Sequence, residues 1–265
     1  MVKKLARNIL EETLNSQGYD LIYHGSNSGV KNYSAIEYGR LAHLAHILDF
    51  CKINCVFDVG ANEGQYGKSL RKLGFSGYIF SFEPVAETYS KLKAEAESDP
   101  RWRVYNFALG SENCVKEINV FGASVFNSFL CPAATPKDVY SHPDFNTFNH
   151  QMVSVKTLDS VYDEVVEQIE DECRPFIKLD TQGFDLEVVK GGKAVLGKML
   201  GLQVELSFVP IYDEMPDYVS SLKTFELLGF HVTNFFPVSN ELPPIEFDCV
   251  MIAAKAFQQN KTKQG

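Results

Sequence analysis

The chain has 265 residues, 45% of them apolar and 22% charged, an ordinary globular composition that excludes a disordered or collagen-like chain. Lys and Arg number 25 against 34 Asp and Glu, a formal charge of −9. Without a long basic run such a chain grips phosphate backbones poorly, so nucleic acid is not an expected partner and small molecules, glycans and proteins remain. The longest apolar run, Cys249 to Ala254, falls far short of the ~18 residues that span a bilayer. Glu11 and Glu12 follow Lys3, Lys4 and Arg7 before any apolar stretch of signal-peptide length, so neither a membrane span nor a secretory signal is expected. Six cysteines with no CxxC pair read as free thiols of a cytoplasmic protein.

Residues 1–50 are expected to form an N-terminal helical segment that packs on the main domain. A polar loop, His24 to Gly29, precedes Ile36, Leu41, Leu44, Ile47 and Leu48, which recur at helical spacing over 35–50. The main domain is expected over 51–258, with a disordered tail at 259–265. Cys55–Val59 is a short apolar strand, followed by a glycine turn and a helix over 65–73. Tyr78–Phe82 is a second strand, 86–97 a second helix and 102–107 a third strand. Strands alternating with helices at this spacing predict a parallel sheet covered on both faces. Val115–Phe121 is one more extended segment. Residues 122–152, rich in Phe, Asn, Ser and Pro and holding His142 and His150, form an irregular insertion and a candidate lid. The alternation resumes with a helix over 158–169, a strand over 176–179 ending at Asp180, and a helix over 184–190 before Gly191-Gly192. A strand over 202–208 and a helix over 218–228 follow. Segments 230–236 and 247–253 have no helix between them, which predicts an antiparallel pair at the sheet edge.

Three places carry candidate chemistry. Asp58-Val59-Gly60-Ala61-Asn62-Glu63-Gly64 takes a strand through a tight turn into a helix. Its glycines allow a ligand close to the backbone, and the helix start offers free N–H groups. Lys68 is misplaced for a phosphate-binding loop, and Asn62 breaks the dinucleotide pattern. Glu83 follows the second strand, one strand–helix–strand unit after Asp58, where an acid takes the hydroxyls of a ribose. Lys178 and Asp180 are two apart in a central strand and share a face. If the next strand lies beside theirs, Glu205 pairs with Lys178, and the pair orients Asp180 at the carboxyl end of the sheet. His150 in the insertion is a second candidate base. Asp180 and Asp185 supply two oxygen ligands without an evident third, so no metal is expected.

Asp58-Val59-Gly60-Ala61-Asn62-x-Gly64, Phe82-Glu83-Pro84, Lys178-x-Asp180-x-x-Gly183, Val204-Glu205-Leu206-Ser207 and Phe247-Asp248-Cys249-Val250-Met251 occur in this order. Together, over about residues 50–255, they resemble the FkbM-type S-adenosylmethionine-dependent methyltransferases. The resemblance implies a Rossmann-like class I methyltransferase: a mostly parallel seven-stranded sheet with an antiparallel edge strand and helices on both faces. It also implies S-adenosylmethionine as cofactor and O-methylation of a sugar, glycan or polyketide-like hydroxyl. Carried over, Asp58, Gly60, Asn62 and Gly64 line the methionine and ribose side, Glu83 binds the ribose, and Asn106, Ala108 and Leu109 border the adenine. Where the family often has Val-Glu after its strand-four Asp, this chain has Thr181-Gln182. That change touches acceptor preference and leaves the cofactor side intact. The alternatives are a nicotinamide-dependent oxidoreductase and a non-catalytic nucleoside-binding module on the same sheet.

Overall fold

The computed structural model describes residues 33–133, 143–145, 147–238 and 242–261. Residues 1–32 of the expected N-terminal segment, His142 with most of the middle of the insertion, and 262–265 of the expected tail lie outside them.

A seven-stranded sheet forms the centre. Its strands are β1 (Cys55–Val59), β2 (Tyr78–Phe82), β3 (Trp102–Tyr105), β7 (Pro175–Leu179), β8 (Gly201–Ser207), β9 (Phe230–Pro237) and β10 (Glu246–Ala253), in the spatial order β3-β2-β1-β7-β8-β10-β9. The pairs β1–β2, β2–β3, β1–β7 and β7–β8 are parallel. β10 runs opposite to the other six strands and sits one place in from the edge, antiparallel to both β8 and β9. β1 and β7 are buried at every residue, as expected of parallel strands covered on both faces.

Alternation along the strands divides the core in two. Cys55, Phe57, Val59, Phe80, Phe82, Ile177, Leu179, Leu202 and Val204 face one side. There they meet the helices α4 (Leu158–Val166), α5 (Asp185–Gly191), α6 (Lys193–Leu196) and α7 (Tyr218–Leu227). Val56, Ile79, Phe176, Val250 and Ile252 face the other side. Helices α1 (Tyr33–Phe50), α2 (Gln65–Lys72) and α3 (Ala86–Ala96) cover them, with Leu44, Ile47, Leu48, Leu70 and Leu92 pointing inward. Thr157 and Asp217 cap α4 and α7, each side-chain oxygen accepting from the backbone N–H three residues on. Among the described residues no helix is long and apolar enough to cross a membrane.

A second, three-stranded sheet joins β4 (Ala108–Leu109), β5 (Cys114–Phe121) and β6 (Phe148–Lys156), in the order β4-β6-β5. The insertion expected to be irregular through 152 is therefore regular strand from Phe148 onward. Its antiparallel register pairs Phe121 with Phe148 and Cys114 with Val155. Phe148 packs on Phe121 at the start of β6, Asn149 and His150 are exposed, and fully buried apolar side chains come only with Val153 and Val155, while Met152 is exposed. The first half thus lacks the alternation that marks a half-buried strand. At the other end, 259–261 belong to a last helix, α8 (Ala254–Lys261), and not to a tail.

Candidate active site

A cavity of about 330 Å³ opens at the carboxyl ends of the central strands. Val59 from β1, Phe82 from β2, Glu83 just after it, Asp180 after β7 and Glu205 from β8 reach it. Gly60 and Asn62 border it at the turn after β1, and Ala108 and Leu109 at β4. Ligands of open α/β sheets bind at this end, where the order of strands reverses.

The turn after β1 needs its residue types. Gly60, Asn62 and Gly64 all have left-handed backbone, with φ of 74°, 48° and 86°, a conformation that favours glycine and tolerates asparagine. A Cβ on Gly60 would come within 1.9 Å of the Asp180 carbonyl oxygen, so the loops after β1 and β7 touch through bare backbone. Gly64 faces away from the cavity, against Leu92 and Trp102.

Glu83 is 5% exposed. Its Oε2 accepts from the Asn62 N–H at 3.0 Å and its Oε1 from the Val85 N–H at 2.9 Å. Among the described residues no cation forms a salt bridge with it. Burial therefore outweighs the two backbone donors and pushes its carboxyl up to about 7. Phe82, Ala108, Leu109 and Ile118 form apolar wall around it. Asn106 does not line the cavity; its amide donates to the carbonyls of Glu83 and Pro84, both at 3.0 Å, and holds the loop after β2.

The expected Lys178–Glu205 pair does not form. Lys178 Nζ lies 2.9 Å from Asp180 Oδ2 and 3.6 Å from Asp58 Oδ1. The register explains this: Lys178 faces Gln203 across β7–β8, and Glu205 lies two residues further along β8. Burial opposes the Lys178 charge, but Asp180 and Asp58 together raise its pKa. Lys178 in turn holds Asp180 below the usual carboxylate range, against the pull of burial. Asp58 does not line the cavity. It is fully buried behind the wall, its Oδ2 accepts from Ser81 Oγ at 3.0 Å, and its Oδ1 makes no hydrogen bond among the described residues. Trp102 Nε1 extends the chain by donating to Ser81 Oγ at 3.0 Å.

Glu205 has a different environment. Burial and the charges of Asp180, Glu246 and Asp248 push its pKa well above the ordinary value. It hydrogen-bonds to Asp180. Gln182, also in left-handed backbone with φ of 52°, joins the two: its Nε2 donates to Asp180 Oδ1 at 3.1 Å and to Glu205 Oε2 at 2.8 Å. The Tyr212 hydroxyl also lies 3.1 Å from Gln182 Oε1, beside the amide. Asp185 turns to Thr181, accepting from its N–H and hydroxyl at 3.0 and 2.8 Å.

The described part of the insertion closes one side of the cavity. Ser124 donates to Asn62 Oδ1 at 2.8 Å, Ser128 to the Gln182 carbonyl at 2.7 Å, and Tyr212 to the Phe126 carbonyl at 2.8 Å. A second cavity of about 400 Å³ shares Gly60, Asn62, Asp180 and Glu205 with the first and runs under α1, past Glu37, Arg40, Tyr66, Gln203 and Asp248. Arg40 bonds Glu37 at 2.7 Å and lies 3.7 Å from Asp248. Neither α1 nor Asp248 stood out in the sequence as part of a site. The signal was the placement of Asp248 opposite Glu205 in the β8–β10 register. His150 is not brought to either cavity. It stands on β6, 54% exposed, with Nδ1 3.3 Å from Glu117 Oε1.

Comparison with known proteins adds a family. The methyltransferase FkbM domain matches residues 58–232. No curated protein matches the chain. Among solved structures, the chain is similar to magnesium protoporphyrin IX methyltransferase from Synechocystis PCC 6803 with bound S-adenosylmethionine. That match has 10% identity and a TM-score of 0.44, over 93% of this chain and 96% of that one. It is also similar to an rRNA methylase from Streptococcus thermophilus, at 11% identity and a TM-score of 0.42, over 82% and 95% of the two chains.

Proposed function

This chain belongs to the methyltransferase FkbM domain family, and from that premise we propose that it methylates a hydroxyl oxygen of a sugar, glycan or polyketide-like acceptor. The family membership selects methyl transfer over hydride transfer and over a purely binding role. When bound, S-adenosylmethionine supplies an electrophilic methyl group on a sulfonium.

Glu83 carries the reading. A buried carboxylate without a cation partner among the described residues, facing a cavity, suits two neighbouring hydroxyl donors, the pattern of a ribose. The apolar wall of Phe82, Ala108 and Leu109 beside it suits a flat base. Gly60 and Asn62 then border the methionine side. Asp58 and Gly64 shape that turn from behind, and Asn106 steadies the loop that carries Glu83.

The other end of the cavity supports the oxygen acceptor. A hydroxyl must lose its proton during or after attack. Asp180, ionised beside Lys178 and lining the cavity, is the group we assign to take it. Lys178, Gln182 and Glu205 position Asp180. A hydroxylated small molecule or glycan fits the remaining space better than nucleic acid, given the −9 charge and the acids around the opening. The dilute cysteines support a cytoplasmic location for the reaction.

Thermal unfolding with S-adenosylhomocysteine or NADH tests the cofactor side. A ligand at 100 times its Kd stabilises by about 2.7 kcal/mol. S-Adenosylhomocysteine should raise Tm, NADH should not, and Glu83→Gln should lose most of the rise. NMR of the product from a panel of hydroxylated acceptors tests the rest; methyl on nitrogen or carbon would overturn the assignment to oxygen.

A further inference from the structure

Two cysteines meet at the end of the sheet away from the cavity. Cys55 opens β1, the strand whose last residue, Val59, lines the cavity. Cys173 lies two residues before Pro175, which begins β7 and pairs with Cys55 in the β1–β7 register. The two Sγ atoms are 3.2 Å apart, from positions 118 residues apart in the chain. Cys55 is buried and Cys173 is partly exposed. With the sulfurs already 3.2 Å apart, a small approach brings them to the S–S bond length of about 2.05 Å.

We propose that Cys55 and Cys173 form a modification site, a dithiol that closes to a disulfide when the protein meets a peroxide. In the first step the partly exposed Cys173 sulfur attacks a peroxide oxygen. The O–O bond breaks, Cys173 becomes a sulfenic acid, and water leaves with the thiol proton. In the second step Cys55 sulfur attacks the Cys173 sulfur, the S–S bond forms, and the sulfenic oxygen departs as a second water, taking the Cys55 proton. Hydrogen peroxide is thus reduced to two waters and the two thiols are oxidised to one disulfide.

The surroundings favour Cys173 as the sulfur that reacts first. The hydrogen bond with Cys55 lowers its thiol to about 7 against the effect of burial, helped by Tyr162, whose hydroxyl donates to it at 3.6 Å, and by Lys198. The thiolate is the nucleophile, so this is the direction that reactivity needs. Burial instead pushes Cys51 up to about 11 and Cys249 up to about 12. Cys131 is exposed, and no cysteine among the described residues stands beside it as Cys55 stands beside Cys173. A disulfide here would tie together the two central strands that carry the catalytic loops.

The test uses the full chain, folded, treated with hydrogen peroxide. Remaining thiols are alkylated, the protein is digested, and the products are mapped by mass spectrometry. The expected main product is the peptide of Cys55 linked to that of Cys173, released by dithiothreitol. Cys131→Ser should leave this link unchanged. Cys173→Ser should leave Cys55 reduced, and Cys55→Ser should let Cys173 run on to sulfinic acid. If Cys55→Ser does not fold, the wild-type map and Cys173→Ser decide. Accumulation of oxidised Cys173 without the link in the wild type, or its linkage to Cys131 or to a second molecule, would overturn the proposal.

Discussion

Lys178 and Asp180 point from the same face of β7 and meet at 2.9 Å, and the same ammonium is the cation nearest the buried Asp58, at 3.6 Å. Removing it leaves a fully buried carboxylate with one hydrogen-bonded oxygen and no counter-charge. Lys178→Met is therefore expected to lower stability by about 3–5 kcal/mol, the usual cost of breaking a buried pair from one side. Asp58→Asn added to Lys178→Met should recover a substantial part, because the stranded charge is then gone. Denaturant unfolding of the two single variants and the double variant gives the coupling. A loss below ~1 kcal/mol in Lys178→Met, against that expectation, would mean that Asp58 carries a proton in the native protein.

Glu83 makes the stability of the ligand-free protein depend on pH. Its carboxyl is raised from 4.5 to about 7, chiefly by burial, so over that window the folded protein holds a proton that the unfolded chain releases. The stabilisation is complete below about 4.5 and is lost as pH rises through about 7. A shift of this size corresponds to about 3 kcal/mol. Glu83→Gln cannot titrate there. The difference in unfolding free energy between wild type and variant should therefore change by about that amount between pH 4 and 8, with the wild type losing ground. Asp185, raised to about 6 mainly by burial, acts in the same direction in both proteins and cancels from the difference. A flat difference curve would show that Glu83 titrates alike in the folded and unfolded states.

The sheet was legible because its central strands are short apolar runs, such as Cys55–Val59 and Tyr78–Phe82, bounded by glycine turns. Their ends coincide with the cavity, so Gly60, Asn62, Glu83 and Asp180 could be read as neighbours before any geometry was known. β6 was not legible: its first half is largely exposed and breaks the alternation that marks a strand. The partner of Lys178 was not legible either. Same-face spacing brings Asp180 within reach, but only the register between β7 and β8 decides that Gln203, and not Glu205, stands opposite Lys178. The role of Gln182 depends on its left-handed backbone, which turns the amide back between two acids. Nothing in the residue type announces that.

Gly60 should not tolerate a side chain. A Cβ there would lie 1.9 Å from the Asp180 carbonyl oxygen, which is backbone and cannot swing aside, and φ is 74°. Gly60→Ala is expected to lower stability by about 1–3 kcal/mol through overpacking, with a further ~1 kcal/mol from the left-handed conformation. Because the displaced atom belongs to the loop that carries Asp180, affinity for S-adenosylhomocysteine should fall as well. Calorimetric binding and denaturant unfolding measure the two effects separately. Gly74→Ala is the control: it has a similar φ of 81° and open space around the new methyl, so it should cost stability without affecting binding.

The two acids beside Gln182 should respond differently to the same change. Lys178 holds Asp180 below the usual carboxylate range, whereas burial and the neighbouring acids push Glu205 well above it. Asp180→Asn keeps the shape but removes the proton acceptor, and loss of a general base costs about 10²–10⁴ in rate. Cofactor affinity should change far less, since Glu83 and the turn at Gly60 are untouched. Glu205→Gln replaces the carboxyl group with a neutral amide of nearly the same outline. The new amide can donate to Asp180 as the acid does, so turnover should stay within a few-fold of wild type and stability should hold at pH 7. Glu205→Ala, which removes the donor, should slow turnover more than Glu205→Gln does. Single-turnover rates with an acceptor that the wild type methylates, alongside S-adenosylhomocysteine affinity for each variant, separate these outcomes. If Glu205→Gln loses as much rate as Asp180→Asn, the proton goes to Glu205, and Asp180 only positions it. If neither loses more than a few-fold while both bind cofactor normally, the oxygen gives up its proton without help from either side chain.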